Sequence, residues 1–167
     1  WLPWSQIWQR RLRLQLIIML APITKRLGYA GLIPFILLSA LVQFAESPWD
    51  FWAANSLLLY GASIASFVGA LHWGPLLGPQ SNTVTNNYWR DKGAWLWGVV
   101  PSLCAWGALH LAFSTGYFVI AATLLVALLV DRQQFRHLIS DEEYLADFLK
   151  MRTTLTMVAA ASLVWAG

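Results

Sequence analysis

YGASIASFVGALHWG occupies residues 60–74, and its reading decides the fold. Small residues alternate there with oily ones. Gly61, Ala65 and Gly69 recur every four positions, which places them on one face of a helix. Ala62, Ser66 and Ala70 repeat the spacing beside them. Lipid tails are as apolar as leucine, so helices in a bilayer associate through close backbone approach and dispersion. Small residues permit that approach. The stretch therefore reads as the packing face of a central transmembrane helix, with Tyr60, Ile64, Phe67, Val68 and Leu71 covering the rest of its surface.

The surrounding chain fits that reading. Of its 167 residues, 58% are hydrophobic and 11% charged, against about 25% charged in soluble domains. Apolar runs near twenty residues match the thickness of a bilayer. Five spans are predicted, at about 27–45, 52–73, 94–113, 116–130 and 153–166. The fold class is all-α, a polytopic membrane helical bundle with about five transmembrane helices. Residues 27–167 form that domain, and residues 1–26 a separate N-terminal segment. Pro34 and Pro101 should kink the first and third spans, because proline lacks the amide donor. Gly98, Ser102, Ala105 and Gly107 give the third span a small-residue character of its own.

Charge sets the orientation. With five crossings, all eleven Lys and Arg fall on the side of the N-terminus and of the two long loops, and Glu46 and Asp50 fall opposite. By the positive-inside rule the N-terminus faces a cytoplasm or a mitochondrial matrix. Tryptophans agree, because Trp49, Trp52, Trp73, Trp89, Trp95, Trp97 and Trp165 lie near span ends, where indoles favour the head-group level. Trp106 alone falls within a span and reads as packing. The acid-free start, with Trp1, Trp4, Trp8, Arg10, Arg11 and Arg13, reads as an interfacial amphipathic helix. It also has the character of the trailing part of a mitochondrial transit peptide. Ser140 and Glu143 form a capping box for a helix that runs on to Ala166. The net charge of +3 is then a membrane signal rather than one for nucleic acid. Arg90, Lys92, Arg132 and Arg136 are candidates for an anionic lipid such as cardiolipin.

Chemistry is sparse. His72 closes the second span and His110 the third, which runs the other way. From Ala94 to His110 is roughly 24 Å of rise, so the two histidines sit near opposite faces and cannot share a haem or a metal ion. His72 reads as an interfacial residue, bonded to head groups or to the following loop. His110 reads as a polar contact near Glu46 and Asp50. Asp131 and Arg132 read as head-group residues ending the fourth span. No acid or base is expected in the middle of a crossing, where pumps and coupled transporters place them. Cys104 stands alone, which excludes a disulfide within the chain. Ser63, Ser66 and Ser102 lack the setting of an activated nucleophile. No catalytic residue, metal site or cofactor is expected.

Four stretches carry a resemblance: LGYAGLIPF (27–35), YGASIASFVGALHWG (60–74), VVPSLCAWGAL (99–109) and DRQQF (131–135). Together they are similar to the transmembrane-protein-69-like family, small helical membrane proteins of unknown function found in proteobacterial inner membranes and associated with mitochondria. The resemblance spans roughly residues 27–166 and carries over no catalytic residues. It implies an energy-transducing membrane. The expected role is a non-catalytic subunit or assembly factor of a respiratory complex, with other membrane subunits and lipids as partners. The alternative is a small transporter or channel for a neutral solute or lipid.

Overall fold

The computed structural model describes residues 22, 23, 25–73, 93, 95–138 and 142–167, without the side chains of 135–138 and 142–144. Residues 1–21 of the N-terminal segment, Ser140 and the side chain of Glu143 in the capping box, Arg90, Lys92 and the side chains of Arg136 and His137 therefore lie outside the described residues. Among the described residues five helices form the bundle: α1 (Ile33–Phe44), α2 (Trp49–Ala70), α3 (Val100–Ala108), α4 (Phe113–Leu138) and α5 (Glu142–Ala166). Among the described residues no strand occurs. Three helical stretches, Lys25–Phe44, Trp49–Ala70 and Phe113–Gln134, are long and apolar enough to cross a membrane. The chain is an integral membrane protein.

Two helices differ from expectation. α3 has 9 residues, about 13 Å of rise, well short of a crossing. The predicted span 94–113 is instead broken by a turn at Gly98–Val99, ahead of Pro101 in the first turn of α3. α4 is longer than the predicted 116–130, with 26 residues.

Both prolines act as helix starters after a break. Pro34 sits in the first turn of α1, behind a turn at Gly31–Leu32. Proline suits that position because its missing N–H would have no helical partner there. A break inside a membrane frees carbonyls that water cannot reach, so protein donors must take them. Tyr60 Oη donates to Gly31 O at 2.8 Å. Trp73 Nε1 donates to Trp95 O at 3.2 Å, in the segment before α3. The two ends of the opening stretch thus bond carbonyls beside both breaks.

α2 is the centre and touches the other four helices. Its Ala53, Leu57 and Ala65 are completely buried, and Leu57 and Ala65 share one core cluster with Ile120 of α4 and Leu163 of α5. Tyr117 of α4 is buried with them, and its hydroxyl donates to Ala54 O at 2.9 Å. α1 closes one side, where Phe35 meets the Tyr60 ring edge-on at 5.0 Å between centroids. Trp106 does not pack inside, as the sequence reading had it. It is 64% exposed and stacks edge-on with His110 at 4.8 Å.

Candidate functional site

The small-residue face is dense where it meets other helices. A Cβ added at Gly61 would lie 3.2 Å from Ile120. One at Gly69 would lie 2.7 Å from the Gly98 carbonyl oxygen and 3.1 Å from the Pro101 ring. The second clash is with backbone, so no rotamer relieves it. Pro101 is thus brought against the α2 face, with the turn before α3 locked onto Gly69. Ala62 and Ala65 are buried and Ser66 is half-buried, donating to Ala62 O at 2.9 Å. Ala70 is exposed and takes no part in that face, while Val68, assigned to the outer surface, is buried. Helical rotation explains the exchange: Val68 follows Gly61 by seven residues, two turns along the same side, and Ala70 lies well round from it.

An ionic cluster stands at the same end of α2. His72, in the turn after α2, is 4% exposed, Asp131 of α4 is 0% and Arg152 of α5 is 9%. Arg152 Nε donates to Asp131 Oδ2 at 2.6 Å. His72 Nε2 lies 3.3 Å from Asp131 Oδ1, and its Nδ1 lies 3.3 Å from Gly69 O. One carboxylate therefore ties together three elements distant in sequence. Burying an ion is costly unless it is paired and hydrogen-bonded, which is why these residues occur together. The cluster corrects two expectations. His72 is a buried contact rather than a head-group residue, and Asp131 is a buried acid rather than a head-group cap. The signal was present in the pattern: Asp131 interrupts the continuation of an apolar helix, and Arg152 falls on the return helix of the same hairpin.

The other expected residues do not join this cluster. Arg132 is exposed and donates to Thr153 Oγ1 at 3.1 Å. Ser63 and Ser66 donate to carbonyls of their own helix, Leu59 and Ala62. Among the described residues no group of three His, Cys, Asp or Glu is placed to hold a metal ion.

Beside the cluster lies a cavity of about 460 Å³, set between α1, α2, α4 and α5. Its walls are almost wholly apolar, including Leu32, Phe35, Ile64, Val68, Leu124 and Leu155. Arg152 and Thr156 are the polar residues on it, and both are buried. Asp131 occupies only the Nε side of Arg152. Nη2 is closed off and has no hydrogen-bond acceptor among the described residues.

Residues 20–166 match the model of a family described as "Protein of unknown function (DUF3429)". The chain is 30% identical over 138 residues to Transmembrane protein 69 of Xenopus tropicalis, across 83% of this chain and 51% of that protein. It therefore spans about half the length of that relative. No solved structure matches it. The chain belongs to the DUF3429 family, which includes the transmembrane-protein-69-like resemblance read from its motifs.

Proposed function

We propose that this DUF3429 member is a non-catalytic integral membrane subunit or assembly factor of an energy-transducing, respiratory complex. Its membrane is then a mitochondrial inner membrane with the N-terminus in the matrix, or a bacterial inner membrane with the N-terminus in the cytoplasm. The Arg-containing, acid-free N-terminal segment supports that assignment. One observation carries the role. Gly107 stands on α3 where an added Cβ would meet nothing within 4 Å among the described residues, so their packing does not require a glycine there. Leu103 and Trp106 beside it are 61% and 64% exposed. A glycine on an outward helix face is a place for a second helix to approach closely.

Extraction in a mild detergent followed by native gels tests the reading. Comigration with an oxidase or dehydrogenase that is lost in Gly107→Leu, while the isolated chain still melts cooperatively, supports it. A lone small species from the wild type overturns it.

A second reading, a small transporter for a neutral solute or lipid, draws on the cavity lying against the break before Pro34. Flux in proteoliposomes that stops when the cavity is filled would favour it over the first.

A further inference from the structure

The cavity has a feature that apolar packing does not account for. Leu32, Phe35, Val68, Leu124 and Leu155 make a space suited to hydrocarbon, of about 460 Å³, within the ~300–1,000 Å³ of ligand pockets. Yet a guanidinium belongs to its wall. Arg152 is nine-tenths buried, and Asp131 takes only its Nε. Its Nη2 is shut away from solvent with no acceptor among the described residues. A buried donor without an acceptor is destabilising, more so on a charged group. Natural structures rarely keep one unless something else supplies the acceptor.

Three ligand chemistries can be weighed. A neutral hydrocarbon would fill the space and leave Nη2 unsatisfied. A free inorganic anion would satisfy Nη2 and leave the apolar walls unfilled. An amphiphile does both. Charge points to its head group: the exposed bases Arg26 and Lys150 are next in sequence to the lining residues Leu27 and Met151, while Lys25 is already paired with Asp147. Guanidinium hydrogen bonds to phosphate oxygens are among the strong ones. We propose that the cavity holds an acyl chain of one anionic membrane phospholipid, and that the Arg152 side chain shifts on binding to bring Nη2, which the protein otherwise closes off, onto a phosphate oxygen. This site is separate from the outward-facing Arg132, and it stands whether the chain is a subunit or a transporter.

Native mass spectrometry of the full chain, stripped of lipid by detergent exchange, tests it. The probes are a phosphatidylglycerol, the phosphatidylcholine with the same chains, palmitate and inorganic phosphate. Saturable binding of one phosphatidylglycerol per chain is expected, with phosphatidylcholine and palmitate weaker and inorganic phosphate not retained. Two variants separate tail from head. Ile64→Trp fills the cavity from α2 without touching the ionic cluster, and should weaken phosphatidylglycerol about tenfold or more. Arg152→Lys keeps a cation beside Asp131 and removes Nη2, so it should weaken both phospholipids, which share the phosphodiester, about tenfold. Thermal melts report whether each variant is folded, and Ile64→Trp carries the test if Arg152→Lys is not. The proposal is overturned by any of four results: no saturable binding to wild type, wild-type affinity in folded Ile64→Trp, wild-type affinity in folded Arg152→Lys, or inorganic phosphate bound as well as the lipid. None of these results alters comigration on native gels, so the two readings fail separately.

Discussion

Replacing Asp131 by leucine isolates the energetics of the buried cluster. Nε of Arg152 and Oδ2 of Asp131 are 2.6 Å apart. At an effective dielectric of ~20 their attraction is about 6 kcal/mol. Most of that offsets desolvation, which costs several kcal/mol per buried ion. The net value of the pair is therefore small, and the loss of one member is large. Asp131→Leu leaves Arg152 buried without its counter-charge, and should cost about 3–5 kcal/mol. Asp131→Leu combined with Arg152→Leu removes both ions and should recover most of that loss, because apolar replacement of a whole buried pair is often neutral or better. The assay is reversible unfolding in mixed micelles by increasing SDS fraction, followed by tryptophan fluorescence, on wild type, both single variants and the double. A large positive coupling is expected. If Asp131→Leu lies within about 1 kcal/mol of wild type, or the double variant is as unstable as the single, the ions do not interact as the geometry requires.

The same glycine-to-alanine change should have opposite signs at two positions. At Gly69 the new Cβ meets the Gly98 carbonyl at 2.7 Å, and the overpacking should cost about 1–3 kcal/mol. At Gly107 it meets nothing within 4 Å among the described residues, and the isolated chain should gain up to ~1 kcal/mol in helix propensity; equal effects in the SDS assay would contradict the packing argument. Tyr60→Phe removes the donor to Gly31 O and should cost about 0.5–1.5 kcal/mol, with faster amide exchange at the α1 break; unchanged exchange there would count against the repair role. The Lys25 ammonium, 2.6 Å from Asp147, holds that carboxyl below its ordinary 3.8 through a hydrogen bond and then through charge. The folded value is depressed, so the pair's contribution is present above the ordinary value and is lost as pH falls through the lower folded one. In Lys25→Met the Asp147 carboxyl should titrate back at its ordinary value by NMR, and no change would refute the pairing.

The helical bundle and its centre were legible because both are local properties of the chain. Hydropathy finds the three helical stretches that are long and apolar enough to cross, and a four-residue repeat finds the face that Gly61, Ala65 and Gly69 share. What escaped depends on contacts between distant segments. Hydropathy alone cannot distinguish a straight crossing at 94–113 from a turn followed by a short helix, since both are oily. Pro101 was the clue, and it marks where α3 starts rather than where a long helix bends. Asp131 was read as a head-group residue because the apolar run stops at Val130. But α4 continues to Leu138, roughly 12 Å further along its axis, and packs with α5. That packing, and not the run itself, decides which side of the hydrocarbon boundary the carboxylate occupies.

A bilayer gives polar groups no water to fall back on, so each buried donor or acceptor in this chain poses the same question of where its partner is. Gly31 O, Trp95 O and Ala54 O receive aromatic donors from Tyr60, Trp73 and Tyr117. The Asp131 carboxylate faces His72 on one oxygen and Arg152 on the other. These contacts account for why polar side chains occur at those positions, and they explain them as structure. Arg152 Nη2, like Trp97 Nε1, is brought no acceptor by the described fold, but it alone of the two belongs to a residue on the wall of an apolar cavity. If stabilising α5 against α4 were the whole role of Arg152, lysine would serve, since one donor suffices for Asp131. A difference between arginine and lysine that appears in lipid binding and not in stability would therefore separate a ligand site from a structural ion pair.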